Sequence, residues 1–274
     1  MKSLFRFLAV LPLPLLHALG AVLGWLAFLL SPTYRRRFLA NAAQAGYSLG
    51  TVRAAVAHSG RLLGEAPRLW FGRPVAVRWD GAELVEAALA RGKGIIFLTP
   101  HLGCFEVTAQ AYAQRFGPIT VLYRPARKKW LRELVDTARA RPNLSTAPAT
   151  LAGVRQMLRV LKAGGVVGLL PDQVPPEGLG VQAPFFGRQA YTMTLPARLA
   201  QQTGAVLLPA WGERLAFGRG YVVHLRAWDG TLPEDAAAAA AQVNLQMEQL
   251  VRECPSQYLW GYARYKTPRQ ELAP

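Results

Sequence analysis

The sequence has few of the residues that build disulfides and metal sites. Its 274 residues include two cysteines, Cys104 and Cys254, and four histidines with no close metal-ligand spacing. Two cysteines in one chain cannot form a disulfide framework or a tetrathiolate metal site. The scarcity of cysteine favours a reducing compartment, and we expect no catalytic metal and no bound cofactor.

Acidic residues are also scarce. The chain has 16 Asp and Glu against 32 Lys and Arg, a formal net charge of +16, so its partners are expected to be anionic. The sequence lacks the Cys/His spacing of zinc fingers, a basic zipper and the aromatic strand motif of RNA-binding domains. We therefore expect no nucleic acid partner. An anionic membrane surface, a phosphorylated lipid or an acidic carrier protein accounts for the charge.

Charged residues are missing altogether from residues 7–30, FLAVLPLPLLHALGAVLGWLAFLL. About 20 apolar residues suffice to cross a bilayer. Two prolines and a histidine interrupt this run, so crossing the bilayer and lying in its interface both stay open. We predict a membrane-anchoring segment at residues 1–34 and a single domain at residues 35–274. The basic cluster Arg35–Arg37 places that domain on the cytoplasmic side by the positive-inside rule.

Two other interpretations of the N-terminal run are weaker. A cleaved signal peptide would have a shorter apolar stretch with small residues at its end, whereas this run ends in LLSPTYRRR. The buried helix of a soluble core rarely needs a charge-free run of this length.

The rest of the chain alternates between strand and helix patterns. Apolar runs typical of buried strands occur at Ile95–Leu98 and in ITVLYR, VVGLLP, AVLLPAW and YVVHLRAW, with helical patterns between most of them and a Pro/Gly-rich loop after VVGLLP. This alternation predicts an α/β fold with a mainly parallel central sheet flanked by helices. The last two runs are expected to add an antiparallel pair.

His101 is the first candidate for chemistry. It follows a predicted buried strand, in TPHLGCFE, and therefore lies at the carboxyl end of that strand, where α/β proteins place their sites. Glu106 comes five positions later, in the first turn of the next helix. A carboxylate bonded to one imidazole nitrogen leaves the other free to take a proton from an alcohol. The spacing alone equally fits a loop histidine and an acid favoured by the helix dipole.

Cys104 offers a covalent alternative, because it is a thiol three residues from His101. A cysteine at an apolar helix entry is more often an inert buried residue.

Four segments carry a resemblance that goes beyond these patterns. HLGCFE, VLYRPARKKWLRELVDTAR, the stretch from VGLLPDQ through PFFG to AVLLPAW, and SQYLWGYARYK occur in that order. Together they resemble the late, lauroyl/myristoyl-type acyltransferases of lipid A biosynthesis, within the lysophospholipid acyltransferase superfamily. The His-x4-Glu motif has the acid of the lipid A branch, but Cys104 and Phe105 stand where that family commonly has Asn and Trp.

The resemblance implies both a fold and a chemistry. The fold is glycerolipid acyltransferase-like, and the activity is O-acyl transfer without metal or cofactor at the bacterial inner membrane. By the resemblance, His101 is the base that activates an acceptor hydroxyl, and Glu106 orients it. Arg124 of YRP and Asp172 of PDQ match family residues near the active site and are expected to bind substrate or stabilise the transition state.

The implied donor is acyl carrier protein, and the implied acceptor is a lipid A precursor or a related glycolipid. Acyl carrier protein is acidic and lipid A carries phosphates, so both suit a basic patch in the sequence. Its members are Arg124, Arg127, Lys128, Lys129, Arg132, Arg139 and Arg141.

Three alternatives are carried forward. The first keeps the chemistry but acylates a lysophospholipid or an aminolipid, with acyl carrier protein or acyl-CoA as donor. The second is a lipid hydrolase using the same His and Glu, although the Gly-x-Ser-x-Gly elbow of many such enzymes is absent from the sequence. The third is a catalytically silent membrane-binding protein.

Overall fold

The computed structural model describes residues 2–126 and 128–270. Four of the described helices precede the first strand, and six follow it. In chain order they are α1 (Lys2–Ala9), α2 (Leu13–Leu30), α3 (Pro32–Gln44), α4 (Leu49–Phe71), α5 (Ala82–Ala90), α6 (Phe105–Arg115), α7 (Lys129–Arg139), α8 (Leu151–Lys162), α9 (Leu195–Thr203) and α10 (Ala236–Glu253).

Several of these helices begin at residues whose side chains bond the first turn. Ser31 accepts a hydrogen bond from the Tyr34 N–H at the start of α3, and Asp235 accepts one from the Ala238 N–H, at 2.8 Å, at the start of α10. Such caps satisfy backbone donors that have no partner inside the helix. Pro12 is the N-cap residue of α2, at the start of a helix, where proline is tolerated.

A seven-stranded sheet forms the centre of the fold. Its strands are β1 (Val77–Asp80), β2 (Ile95–Leu98), β3 (Ile119–Tyr123), β4 (Leu144–Pro148), β5 (Val166–Leu169), β8 (Val206–Arg214) and β9 (Tyr221–Leu225), in the order β1-β9-β8-β2-β5-β3-β4. Every neighbouring pair is parallel except β8 and β9, which are antiparallel. The predicted α/β fold with a mainly parallel sheet and a final antiparallel pair is confirmed.

The Pro/Gly-rich stretch is more regular than the expected loop. It contains a separate antiparallel hairpin, β6 (Gly180–Phe185) and β7 (Arg188–Met193). The hairpin turns at Phe186 and Gly187, which both have positive φ, of 46° and 74°. Asn244 of α10 donates to the Pro184 carbonyl at 2.9 Å and fixes the hairpin to the domain.

Helices cover both faces of the sheet, which explains why its central strands are continuously apolar. In β2, Ile96 and Leu98 belong to the core that includes Met157 of α8 and Met247 of α10. Ile95 and Phe97 point to the opposite core, with members from α5 and α6. Alternate residues of one strand thus fill two cores, as expected for a parallel sheet buried on both sides.

Helix α2 packs against α4 through glycines. A Cβ added to Gly60 of α4 would lie 1.9 Å from the Gly20 carbonyl oxygen, and one added to Gly24 of α2 would lie 2.3 Å from the Val56 carbonyl oxygen. The two backbones are therefore in direct contact, as small residues at spacings of four allow.

The opposite side of α2 is apolar and exposed. Among the described helices, α2 is the one long and apolar enough to cross a membrane by length and composition, with a mean hydropathy of 2.0 and 33% of its residues buried. Its exposed apolar side chains are Leu15, Leu19, Val22, Leu23, Trp25, Leu26, Leu29 and Leu30. The N-terminal apolar helix predicted from the sequence is present, with one side packed on the domain.

The glycine contact makes a testable prediction. Gly60→Ala should destabilise the protein by about 1–3 kcal/mol, because the added methyl group forces the two helices apart. Thermal unfolding in detergent, followed by tryptophan fluorescence, measures the effect. Gly50→Ala on the same helix is the control: the nearest atom to its added Cβ is 3.5 Å away, so it should be neutral or stabilising. Equal melting temperatures for the two variants would contradict the close packing.

Candidate active site

His101 and Asp172 lie side by side because their strands are neighbours. Strands β2 and β5 pair in parallel with Leu98 opposite Leu169, and each candidate residue lies three positions beyond its strand. The His101 Nδ1 atom is 2.7 Å from Asp172 Oδ1, and the His101 backbone N–H donates to Asp172 Oδ2 at 2.9 Å. The carboxyl ends of two parallel strands thus form this pair.

Asp172 is a buried carboxylate, with 2% of its surface exposed. Burial alone would raise the pKa of Asp172, but the His101 charge, two hydrogen bonds from His101 and the Arg264 guanidinium lower it below its ordinary value. The Tyr258 hydroxyl also lies 3.2 Å from Oδ2. A carboxylate at Nδ1 selects the Nδ1–H tautomer and leaves the lone pair on Nε2, which is the arrangement a general base requires.

The predicted role of Glu106 as the residue that orients His101 is not what the geometry shows. Asp172 occupies that position at Nδ1. Glu106 is the second residue of α6, and from this first helical turn its carboxylate accepts a hydrogen bond from Arg139 of α7. The short sequence spacing therefore puts the two residues at one site without pairing them.

Glu106 and Arg139 are the charged residues in the lining of an apolar cavity. The cavity lies between α6 and the sheet, and its lining includes Trp79, Phe97, Tyr112 and Leu225. Both charged side chains are largely buried, with 14% and 17% exposed. Phe105 connects the cavity to the base, because its ring lines the cavity and lies 4.9 Å from the His101 ring.

Two further residues follow strands at this edge of the sheet, and only one of them, Arg124, was singled out from the sequence. Arg124 follows β3 directly and is exposed at the same edge of the sheet. Gln173 was not singled out: its Nε2 atom lies 2.9 Å from His101 Nε2. The sequence showed Arg139 only as part of the basic patch. In the structure it is the last residue of α7, and its guanidinium pairs with Glu106. Arg127 of that patch lies outside the described residues.

The loop that carries His101 is held by the C-terminal segment. The Leu259 N–H donates to the His101 carbonyl at 3.1 Å, and the Gly103 N–H donates to the Gln257 carbonyl at 3.0 Å. Gly103 has a φ of +60°, and a Cβ there would lie 2.0 Å from the Gly212 carbonyl oxygen, so glycine is required. The aromatic C-terminal segment is therefore part of the support of the active site.

A buried ion pair supports the same loop from the side of the N-terminal helices. Arg214 of β8 donates to both carboxylate oxygens of Glu65 on α4, and also to the Gly103 carbonyl at 3.0 Å. Burial would raise the pKa of Glu65, but the Arg214 charge and hydrogen bonds from Arg214 and His17 lower it to about 2. His17 lies on α2, so the contacts of Glu65 and Arg214 join the apolar helix to the loop that carries His101 and Gly103.

Cys104 has the properties of a structural thiol. It is fully buried, and both burial and the nearby Glu65 charge raise the pKa of its thiol well above the ordinary value. Because the thiolate is the nucleophilic form, the covalent alternative loses its support.

Comparisons with known proteins agree with the resemblance carried by the motifs. A family described as bacterial lipid A biosynthesis acyltransferase matches residues 3–267. The lipid A biosynthesis lauroyltransferase of Escherichia coli K12 is 30% identical over 203 residues, 72% of this chain and 65% of that protein. The lipid A biosynthesis palmitoleoyltransferase of the same organism is 28% identical over 213 residues, 76% of this chain and 69% of that protein.

Another matching protein, aligned over a shorter part of the chain, is named for a different lipid. The phosphatidylinositol mannoside acyltransferase of Mycobacterium tuberculosis H37Rv is 30% identical over 147 residues, 52% of this chain and 45% of that protein. The chain spans 65% of the length of the E. coli lauroyltransferase it matches.

A histidine next to the Glu65–Arg214 ion pair, His58, predicts a pH dependence of stability. Burial and the charges of Arg214 and Arg61 lower the pKa of His58 from 6.5 to about 3, against the opposing charge of Glu65. Below its ordinary pKa the unfolded chain takes up a proton at His58 and the folded chain does not, so stability falls as the pH drops from 6.5 towards 3. Melting temperatures measured from about pH 7 to pH 5 should therefore decrease.

His58→Gln provides the comparison for this pH effect, because its amide accepts a hydrogen bond without titrating. Its melting temperature should change less with pH than that of the wild type. Identical slopes for the two proteins would show that His58 is not held neutral.

Proposed function

The chain belongs to the bacterial lipid A biosynthesis acyltransferase family, and we propose that it transfers a fatty acyl chain from acyl carrier protein to a hydroxyl of a lipid A precursor or a related glycolipid. We place it at the bacterial inner membrane, with the catalytic domain on the cytoplasmic side. The observation that carries the proposal is a histidine hydrogen-bonded to a buried carboxylate, next to an apolar cavity whose lining includes an Arg–Glu pair.

The base acts at the Nε2 atom of His101. The acceptor hydroxyl gives its proton to Nε2 while its oxygen attacks the thioester carbonyl carbon, and the Asp172 carboxylate stabilises the imidazolium that results. The tetrahedral intermediate then breaks its carbon–sulfur bond. The leaving thiolate takes the proton back from His101, so the enzyme returns to its starting state without a covalent intermediate.

Negative charge on the thioester oxygen needs a positive partner in the transition state. Arg139 is suited to this role because it is largely buried beside the cavity, where an ionic hydrogen bond is worth more than in water. Glu106 holds the guanidinium in place. Arg124, exposed after β3, is assigned to binding the anionic acceptor or donor.

The cavity is proposed as the site of the acyl chain. Its lining is apolar apart from the charged pair and threonines, and it runs between α6 and the sheet from the residues beside His101. Burying a hydrocarbon chain there is favourable by about 0.8 kcal/mol for each methylene group.

Two surfaces fit the remaining partners. Helix α7 carries Lys128 at its start and Arg132 in its second turn, with Trp130 43% exposed between them, and it ends at Arg139 beside the cavity. An acidic carrier protein bound along α7 would therefore deliver its thioester near the charged pair. The exposed apolar side of α2 is assigned to the membrane.

The proposal includes two kinds of acceptor, a lipid A precursor and a related glycolipid. The match to a phosphatidylinositol mannoside acyltransferase supports testing a glycolipid other than lipid A beside the lipid A precursor. Transfer assays with both acceptors and the same labelled donor separate the two.

The first test is the loss of transfer on changing the His–Asp pair. Asp172→Asn should lower transfer of a labelled acyl group from acyl carrier protein to purified lipid A precursor by roughly 10²–10⁴-fold, because the imidazolium loses its carboxylate. His101→Ala should abolish it. Asp80→Asn is the matched control, since Asp80 bonds His224 at 2.8 Å in an exposed pair at the far edge of the sheet. Wild-type rates in Asp172→Asn would rule out this base.

A second test addresses the cavity. Ala109 lines it, whereas Ala111 lies on the same helix facing a different groove. Ala109→Leu should shift the preference towards shorter donors by roughly tenfold or more, because the added carbons shorten the space for the chain. Competition among saturated acyl donors of increasing length measures the shift. An unchanged preference in Ala109→Leu, or the same shift in the control Ala111→Leu, would place the chain elsewhere.

A further inference from the structure

Gln173 is held so that its side chain reaches the catalytic base. Its neighbour Asp172 is bonded to His101, and on its other side the Val174 N–H donates to the Tyr262 hydroxyl at 3.0 Å. The backbone is thus fixed on both sides of Gln173. From this position the Gln173 Nε2 atom lies 2.9 Å from His101 Nε2.

The donor and acceptor of this contact follow from the tautomer. With its Nδ1–H directed at the Asp172 carboxylate, a neutral His101 has one lone pair, on Nε2. The contact is therefore a hydrogen bond from the Gln173 amide to that lone pair. The same lone pair must take the proton of the acceptor hydroxyl, so the amide and the hydroxyl cannot be bound to His101 at the same time.

We propose that Gln173 is a cap on His101: in the free enzyme its amide occupies the hydroxyl position, the acceptor lipid displaces it, and until then it keeps water from being activated. The inference rests on the proposed function for the identity of the acceptor. The His101 side chain is 14% exposed, so water can reach it. A cap on Nε2 explains how an acyltransferase with such a base avoids hydrolysing its donor.

The reaction that the cap prevents is the same transfer with water as the acceptor. Water would give a proton to Nε2 while its oxygen attacks the thioester carbon, and the carbon–sulfur bond would break. The products would be a free fatty acid and the carrier thiol, with the proton passing from His101 to the thiolate. Water needs only access to Nε2, whereas the acceptor lipid makes further contacts that favour displacement of the amide.

The activity test compares hydrolysis with transfer in Gln173→Ala and Gln173→Met. Both variants remove the donor, and methionine keeps the length of the side chain. We expect release of labelled fatty acid from the donor alone to rise by roughly twofold to tenfold, the range for losing one hydrogen bond. With acceptor present, KM for the acceptor should fall by a similar factor while kcat changes little. His101→Ala should abolish both reactions in either background.

A chemical test does not depend on the proposed substrate. Diethyl pyrocarbonate modifies unprotonated imidazole nitrogens, and the modified histidine is identified by mass spectrometry. The rate at His101 should rise by roughly twofold to tenfold in Gln173→Ala and Gln173→Met, because Nε2 becomes free. The rates at the other histidines serve as internal references.

The control is Gln189→Ala, which removes an exposed amide from the separate hairpin. This variant should match the wild type in donor hydrolysis, in the kinetics of transfer and in the modification rate of His101. Unchanged modification of His101 in the Gln173 variants would overturn the cap. So would unchanged hydrolysis together with a raised KM for the acceptor, which would make Gln173 an acceptor-binding residue. If modification rises but the wild type does not acylate lipid A precursor, the cap stands and the proposed function fails.

Discussion

The buried charge of Asp172 is the constraint on which the site depends. A carboxylate with 2% exposure is stable only if hydrogen-bond donors surround it, and here they come from the His101 imidazole, the His101 backbone and the Tyr258 hydroxyl. These donors belong to the loop after β2 and to the C-terminal segment. The register of β2 against β5 brings the first two to the carboxylate, and the segment around Tyr258 supplies the third. The geometry of the candidate site is therefore fixed by the same interactions that satisfy a buried anion.

A second buried charge extends this constraint to the N-terminal helices. Glu65 and Arg214 neutralise each other, and the guanidinium also holds the Gly103 carbonyl in the catalytic loop. His17 of α2 bonds the same carboxylate at 3.0 Å. Removing one partner of such a pair leaves an uncompensated buried charge, at a cost of about 3–5 kcal/mol. Helix α2 is thus a structural neighbour of the candidate site as well as an apolar surface.

The sequence predicted the buried strands, which depend on local residue patterns. It did not predict which distant side chains pair at the site, because that depends on how the strands are arranged in the sheet. Continuous apolar runs revealed β2 and β5, because strands buried on both faces have no polar alternation. The edge strands β1 and β4 were missed, since VRWD and LSTAP are short and partly polar. His101 was singled out from its position after a strand and Asp172 from the family resemblance, but their pairing depends on register between residues 71 positions apart. Glu106 was expected to pair with His101 because the two are close in sequence, whereas its carboxylate contacts Arg139, which the sequence showed only as one member of a basic patch.

The two carboxylates of the site divide the work of the proposed reaction. As the hydroxyl attacks, positive charge develops on His101 and negative charge on the thioester oxygen. The first arises 2.7 Å from the Asp172 carboxylate, and we assign the second to the neighbourhood of Arg139, which Glu106 holds in place. Each developing charge therefore meets a charge of opposite sign that was positioned before the reaction began, and little reorganisation is required.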